Sequence, residues 1–165
     1  DKLFQELNLE ISKKINRKLK LLVTYINVQN NDKLLKSQPL LSNQDHEYIY
    51  ANIIILEILY KIKPKHVTKF EIQHLQTQQH YGNWVMGLIE YKLSPSWFWS
   101  LQDLYNYGNP TEDPHYYSIS TGYNKGANRL SLTYGKQRAG LFCVGGVCRE
   151  VPASNGLSIS LTSSF

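Results

Sequence analysis

Two cysteines, Cys143 and Cys148, form the most compact group of side chains in the sequence that could carry out chemistry. They flank Gly145 and Gly146, and a Gly-Gly pair favours a tight turn that would bring the two thiols within bonding distance. The spacing predicts a disulfide, with free thiols as the alternative. A zinc site is disfavoured because four residues separate the cysteines and the sequence has no second cysteine pair.

The five histidines offer a second possibility for chemistry, but they are dispersed: His46, His66, His74, His80 and His115. A hydrolase could use His115 with the neighbouring Glu112 and Asp113. However, no serine lies in a nucleophile-elbow context, and no metal-ligand spacing is present. Turn-forming residues within 106–114 explain the same side chains as an exposed loop. The sequence therefore predicts no enzyme, no cofactor and no metal site.

The last residues of the chain indicate what kind of element positions these side chains. Apolar residues alternate there with hydroxylated ones, as in a strand whose two faces differ. A soluble sheet with one wet face would show the same alternation. The terminal aromatic residue favours the last strand of an outer-membrane β-barrel, and the residues of this C-terminal pattern are Leu157, Ile159, Leu161 and Phe165.

Eight further segments alternate in the same way, which makes nine candidate strands. Most are about 9–12 residues long, which suits a tilted strand that crosses a bilayer, whereas strands of soluble proteins average about 5–6 residues. The eight segments are 3–12, 17–28, 46–60, 65–77, 83–92, 96–106, 115–123 and 129–135.

The connections between these segments are alternately short and long. The short ones lie near 13–16, 61–64, 93–95 and 124–127, and the long ones near 29–45, 78–82, 107–114 and 136–155. Outer-membrane barrels have short periplasmic turns and longer extracellular loops. If Phe165 is periplasmic, every connection lies on the side that its length predicts.

Aromatic residues are predicted to form two belts at the ends of the strands, where a ring stays in apolar surroundings and its polar tip reaches water. The expected periplasmic belt is Tyr60, Tyr91, Trp97, Tyr123 and Phe165. The expected outer belt is Tyr25, Tyr48, Tyr50, Trp84, Tyr105, Tyr107, Tyr116, Tyr117 and Tyr134.

Charged residues fall on the strand positions opposite to the apolar rows: Glu6, Glu10, Lys18, Lys20, Glu57, Lys69, Glu71, Glu90, Lys92 and Arg129. A barrel would point them into its lumen, because a Lys or Arg in the middle of the lipid face costs roughly 2–4 kcal/mol. The predicted cross-strand pairs are Glu57 with Lys69, and Glu10 with Lys18 or Lys20. Small residues on this side would leave room for water, a plug or a partner: Ser118, Ser120, Gly122, Ser158 and Ser160.

Composition argues against several other classes of protein. The net charge is +5, but the basic residues are scattered, which disfavours nucleic-acid binding. No apolar stretch approaches the roughly 20 residues of a transmembrane helix. Residues 1–165 show no composition shift and are expected to be the C-terminal part of a single outer-membrane β-barrel domain. The chain begins at Asp1 without Met, so we expect that N-terminal strands and a signal peptide are missing.

The stretch from Asn128 to Gly140, continued by Phe142–Arg149 and Val151–Ala153, resembles the C-terminal end of an uncharacterised outer-membrane β-barrel family of Bacteroidota. The resemblance covers about the last forty residues. It implies a larger barrel with more than nine strands and a cleaved signal. This family has no established activity, so the resemblance assigns no site residues.

These observations lead to one hypothesis for fold and function. We expect an all-β, antiparallel, up-and-down transmembrane β-barrel in the bacterial outer membrane, with a structural or porin-like transport role, alone or within a larger cell-envelope complex. Its expected partners are outer-membrane lipid, the barrel-assembly machinery and other envelope proteins. Bacterial barrels close with an even number of strands, so nine imply further strands upstream. The alternative is a soluble secreted β-sandwich that binds a ligand through aromatic loops.

Overall fold

The computed structural model describes residues 4–31, 48–78, 82–109 and 114–163. None of these residues forms a helix that is long and apolar enough to cross a membrane. The strands are β1 (Phe4–Lys14), β2 (Leu19–Asn31), β3 (Tyr48–Lys63), β4 (His66–Thr77), β5 (Trp84–Leu93), β6 (Trp97–Tyr105), β7 (His115–Lys125), β8 (Asn128–Gln137), β9 (Gly140–Val144), β10 (Val147–Val151) and β11 (Ser154–Thr162).

Nine of these strands form one antiparallel sheet in the order β1-β2-β3-β4-β5-β6-β7-β8-β11. The predicted all-β, up-and-down arrangement of nine strands is therefore confirmed. The strands are long for a protein sheet, and β3 has 16 residues. Strands β1 and β11 are the two edges, so the sheet is not closed within the described residues. The closed barrel therefore stays a prediction.

The connections within this sheet separate by length, as the sequence predicts. Residues 15–18, 64–65, 94–96 and 126–127 join strands at one end of the sheet, which we call the turn end. Residues 32–47, 78–83, 106–114 and 138–153 separate strands at the opposite end, which we call the loop end. The strand ends that the short connections join thus lie on one side of the sheet, and the strand ends separated by long stretches of sequence lie on the other.

The connection between β8 and β11 differs from the expected loop because it contains the β9–β10 hairpin. Gly145 and Gly146 join the two strands with φ angles of 60° and 81°. A two-residue hairpin turn with positive φ at both positions accepts glycine most readily. In this hairpin Cys143 is the register partner of Cys148.

Strand alternation gives the large sheet two faces with different surroundings. The inner face carries the buried Glu90, Ser100, Ser120 and Thr133, and the β9–β10 hairpin packs against it. Phe142 and Val144 of the hairpin form a buried cluster with Phe98 of β6. We call the opposite side the outer face. The hairpin therefore supplies the second layer of the structure over part of the inner face.

Candidate functional site

The outer face is apolar and uncovered along most strands of the sheet. Its exposed large side chains include Leu9, Ile11, Val23, Ile54, Ile72, Ile89, Leu101, Ile119, Leu130, Leu132, Leu157, Ile159 and Leu161. Their exposed fractions range from 40% for Leu132 to 74% for Leu161. Soluble monomers rarely expose contiguous apolar patches of more than a few hundred Å². This face therefore needs an apolar environment to cover it.

The predicted C-terminal pattern lies partly on this face. Leu157, Ile159 and Leu161 are all exposed there, and Ile159 pairs with Leu132 of β8. Phe165 lies outside the described residues. The three placed residues continue the apolar rows of the neighbouring strand up to the edge of the sheet.

Aromatic rings cluster at the turn end. The Trp97 ring lies 4.8 Å from Tyr123 and 5.9 Å from Trp99, measured between centroids, and Trp99 lies 5.7 Å from Tyr91. The Tyr91 hydroxyl also contacts Nδ1 of His66. Four neighbouring strands, β4 to β7, therefore contribute one continuous group of rings with polar tips.

A second aromatic group lies at the loop end, where polar atoms accompany the rings. Tyr105 stacks on His115 with the ring centroids 4.2 Å apart, and His115 Nδ1 lies 2.9 Å from Asp103 Oδ2. The His74 ring stacks on Tyr107, whose hydroxyl lies 2.6 Å from His74 Nε2. The arrangement suits the boundary between an apolar layer and water.

Among the described residues, His115 forms an ion pair with one carboxylate. Its carboxylate partner is Asp103, and Glu112 and Asp113 lie outside the described residues. His115 and Asp103 are both substantially exposed. Within the described ranges, no group of three His, Cys, Asp or Glu side chains could hold a metal ion.

The tip of the hairpin is fixed by charged side chains of the inner face. The Gly145 amide donates to Glu90 Oε2 at 2.6 Å, and Glu90 Oε1 lies 2.9 Å from Lys92 Nζ. Arg129 donates through Nη2 to the Val144 carbonyl at 2.7 Å. Hydrogen bonds that involve a charged group are the stronger ones in proteins. The hairpin is therefore tied to both β5 and β8.

Phe98 is the apolar anchor beneath the hairpin tip. Its side chain is 1% exposed, and the Arg129 guanidinium lies 4.4 Å from the ring centroid. A Cβ atom at Gly122 would lie 2.3 Å from Phe98 Cε1, so glycine at this position makes room for the ring. The predicted small residue Gly122 thus accommodates a neighbouring side chain.

The other predicted small residues also lie on the inner face. Ser118 and Ser120 are buried, and the Ser120 hydroxyl lies 2.8 Å from the Thr133 hydroxyl. Ser158 and Ser160 of β11 are half-buried. Hairpin residues face this part of the sheet across two cavities: Phe142 lines one with Ser118, and Val144 lines another with Ser160.

Charged residues of β3 and β4 form a second polar group on the inner face. Lys69 Nζ lies 2.7 Å from Glu71 Oε2 and 3.8 Å from Glu57 Oε2, which confirms the predicted Glu57–Lys69 pair. The predicted pairing of Glu10 with Lys18 or Lys20 is wrong. The register places Glu10 opposite Thr24 and Lys20 opposite Lys14, because both lysines lie near the turn end.

The sulfur atoms of Cys143 and Cys148 lie at disulfide distance across the hairpin. Both residues are exposed, although the hairpin tip beyond them is bound to the inner face. Sequence spacing correctly indicated the pair, but it did not indicate that the hairpin folds back onto the sheet. The available signal was local: two short runs of mainly apolar residues on either side of Gly145-Gly146.

We expect the Cys143→Ser, Cys148→Ser double variant to lose about 2 kcal/mol of hairpin stability, the value that chain entropy gives for a small loop. In the natural protein, maleimide should label neither cysteine until a reductant is added. Mass spectrometry of the labelled protein measures this directly. Labelling of the unreduced protein would establish free thiols instead.

A protein-family model, described as a family of unknown function (DUF6029), matches residues 1–165. No curated protein and no solved structure shows significant similarity to the chain.

Proposed function

The chain belongs to the DUF6029 family of unknown function, and on the basis of its faces and its hairpin we propose that it forms part of the wall of an outer-membrane β-barrel. The proposed role is structural or channel-type transport, alone or within a larger cell-envelope complex, rather than catalysis. The barrel interior would correspond to the inner face. The β9–β10 hairpin would then narrow the lumen from within.

The exposed apolar outer face carries this proposal. Uncovered Leu, Ile and Val side chains run across the sheet from β1 to β11. Aromatic residues with polar tips lie at both ends of the strands, at Trp97 and Tyr123 on one side and Tyr105 on the other. A lipid-facing barrel surface has this same order: an apolar band between two aromatic girdles.

The placement of the hairpin favours a barrel over the alternative, a soluble β-sandwich. A sandwich buries the apolar faces of its two sheets against each other. Here the second sheet formed by the described residues is the β9–β10 hairpin, and it packs on the inner face. The outer face would therefore stay uncovered in water. Lipid supplies the missing apolar contact.

Two edge strands set a further requirement. Within the described residues, β1 and β11 each have one neighbouring strand, so one side of each backbone lacks a ladder partner. Unpaired amides and carbonyls in hydrocarbon cost several kcal/mol each. A barrel built from this sheet would therefore need additional strands between β1 and β11 to close it.

The proposal is tested on the full-length protein in detergent by electrophoresis with and without boiling. A folded barrel is expected to migrate as a compact species and to shift to its unfolded position only after boiling. Fractionation should place the protein with outer-membrane markers. A protein that stays soluble without detergent and shows no heat-dependent shift would overturn the membrane assignment.

A further inference from the structure

A cavity of about 340 Å³ lies at the loop end of the inner face, between strands β6–β8 and the base of the hairpin. Its lining includes Gln102, Tyr116, Ser118, Lys136, Gln137 and Phe142. Cavities that bind small molecules start at about 300 Å³ and combine apolar walls with a few polar groups. The contacts that fix the hairpin tip, made by Glu90 and Arg129, do not line this cavity.

Both charged residues that line the cavity are cationic. Lys136 Nζ lies 5.1 Å from the centroid of the Tyr116 ring, and Arg138 Cζ lies 4.6 Å from the centroid of Trp84. Neither cation has a carboxylate partner among the residues that the structure describes. Within the described ranges, stacked rings rather than acids therefore hold the two side chains.

A buried amide adds a hydrogen-bond donor to this positive environment. Gln137 is 7% exposed, and its Oε1 accepts from Ser154 Oγ at 3.4 Å. Its Nε2 has no hydrogen-bond partner within the described part of the chain. Buried donors are almost always paired, so an unpaired amide beside a cavity indicates a place for an acceptor atom.

We propose that this cavity binds a small organic anion whose carboxylate or phosphate oxygens accept hydrogen bonds from Gln137 and pair with Lys136 and Arg138. The negative head group satisfies both cations and the unpaired amide at once. Leu104 and Phe142 supply apolar wall, so the ligand carries an apolar or ring-shaped body rather than being a bare inorganic ion. The inference rests on strands and hairpin and does not depend on the membrane assignment.

Isothermal titration calorimetry tests the proposal on the full-length protein in an uncharged maltoside detergent. The probes are benzoate, phenyl phosphate and the neutral benzyl alcohol. At least one anion is expected to bind about tenfold or more tightly than benzyl alcohol, and the preferred anion identifies the head group. Absence of binding by both anions at millimolar concentrations, or equal binding of the neutral probe, would overturn the proposal.

Variants locate the site. The Lys136→Gln, Arg138→Gln double variant is expected to lose the preference for anions, and Gln137→Leu to weaken anion binding about tenfold. The control is Lys125→Gln, which removes an exposed cation at the opposite end of the β7–β8 hairpin and should bind as the natural protein does. Anion binding that survives the double variant would place the ligand elsewhere. Boiling-dependent electrophoresis reports separately on the barrel.

Discussion

The Leu132→Arg variant is expected to fold into lipid vesicles with a stability about 2–4 kcal/mol below that of the natural protein. Leu132 lies in the middle of β8 on the outer face, opposite Ile159 of β11 and Thr121 of β7. An arginine there would enter hydrocarbon far from either end of the strand. In a water-soluble protein, a change at such an exposed position would alter stability by less than about 0.5 kcal/mol.

Urea titration of the vesicle-bound full-length protein measures this difference, with the boiling-dependent gel shift as the readout of folding. The control is Ala127→Arg in the exposed turn between β7 and β8, where the new charge stays in water. We expect this control to fold as the natural protein does. Equal stability of the two variants would show that water, not lipid, contacts the outer face.

The Phe98→Ala variant is expected to release the hairpin from the inner face. Truncation of a buried phenylalanine costs about 3–5 kcal/mol, and Phe98 packs in one cluster with Phe142 and Val144 of the hairpin. The lost stability comes mainly from hairpin contacts, because the backbone of β6 keeps its hydrogen bonds to β5 and β7. The sheet should therefore persist while the hairpin detaches.

Hydrogen exchange measures this detachment at the Gly145 amide, which is bonded to Glu90 in the natural protein. Its exchange is expected to accelerate about a hundredfold or more, because this factor corresponds to a loss of about 3 kcal/mol in the free energy of opening the hairpin. Phe70→Ala, on the outer face of β4, is the matched control and should leave this amide unchanged. Unchanged exchange in Phe98→Ala would show that polar contacts alone hold the hairpin.

Alternation of side chains and the lengths of connections were enough to predict the large sheet. Both signals are local, since a two-residue period reports which face a side chain occupies. The exposed Leu130 and Leu132 alternate with the buried Ser131 and Thr133 as the sequence predicts. The same logic placed Glu57 and Lys69 close enough to form an ion pair.

The position of the hairpin could not be predicted because its contacts are remote in sequence. Gly145 bonds to Glu90, which lies 55 residues earlier, and no periodic pattern reports such a pairing. Trp84 and Tyr116 were expected in an aromatic belt, and they do stack near the loop end. However, Arg138 and Lys136 cover them on the inner face. Alternation along β5 and β7 already places both rings on the inner face, whereas their contacts with Lys136 and Arg138 could not be predicted.

Both ends of the hairpin segment are anchored to the large sheet. Gln137 of β8 and Ser154 of β11 are register partners. Residues 138–139 link Gln137 to β9, and residues 152–153 link Ser154 to β10. The three backbone steps from Gln137 to Gly140, and from Val151 to Ser154, span at most about 11 Å each. If the tip of the hairpin were released, its base would therefore stay near the loop end of the sheet, and the hairpin would swing about that base.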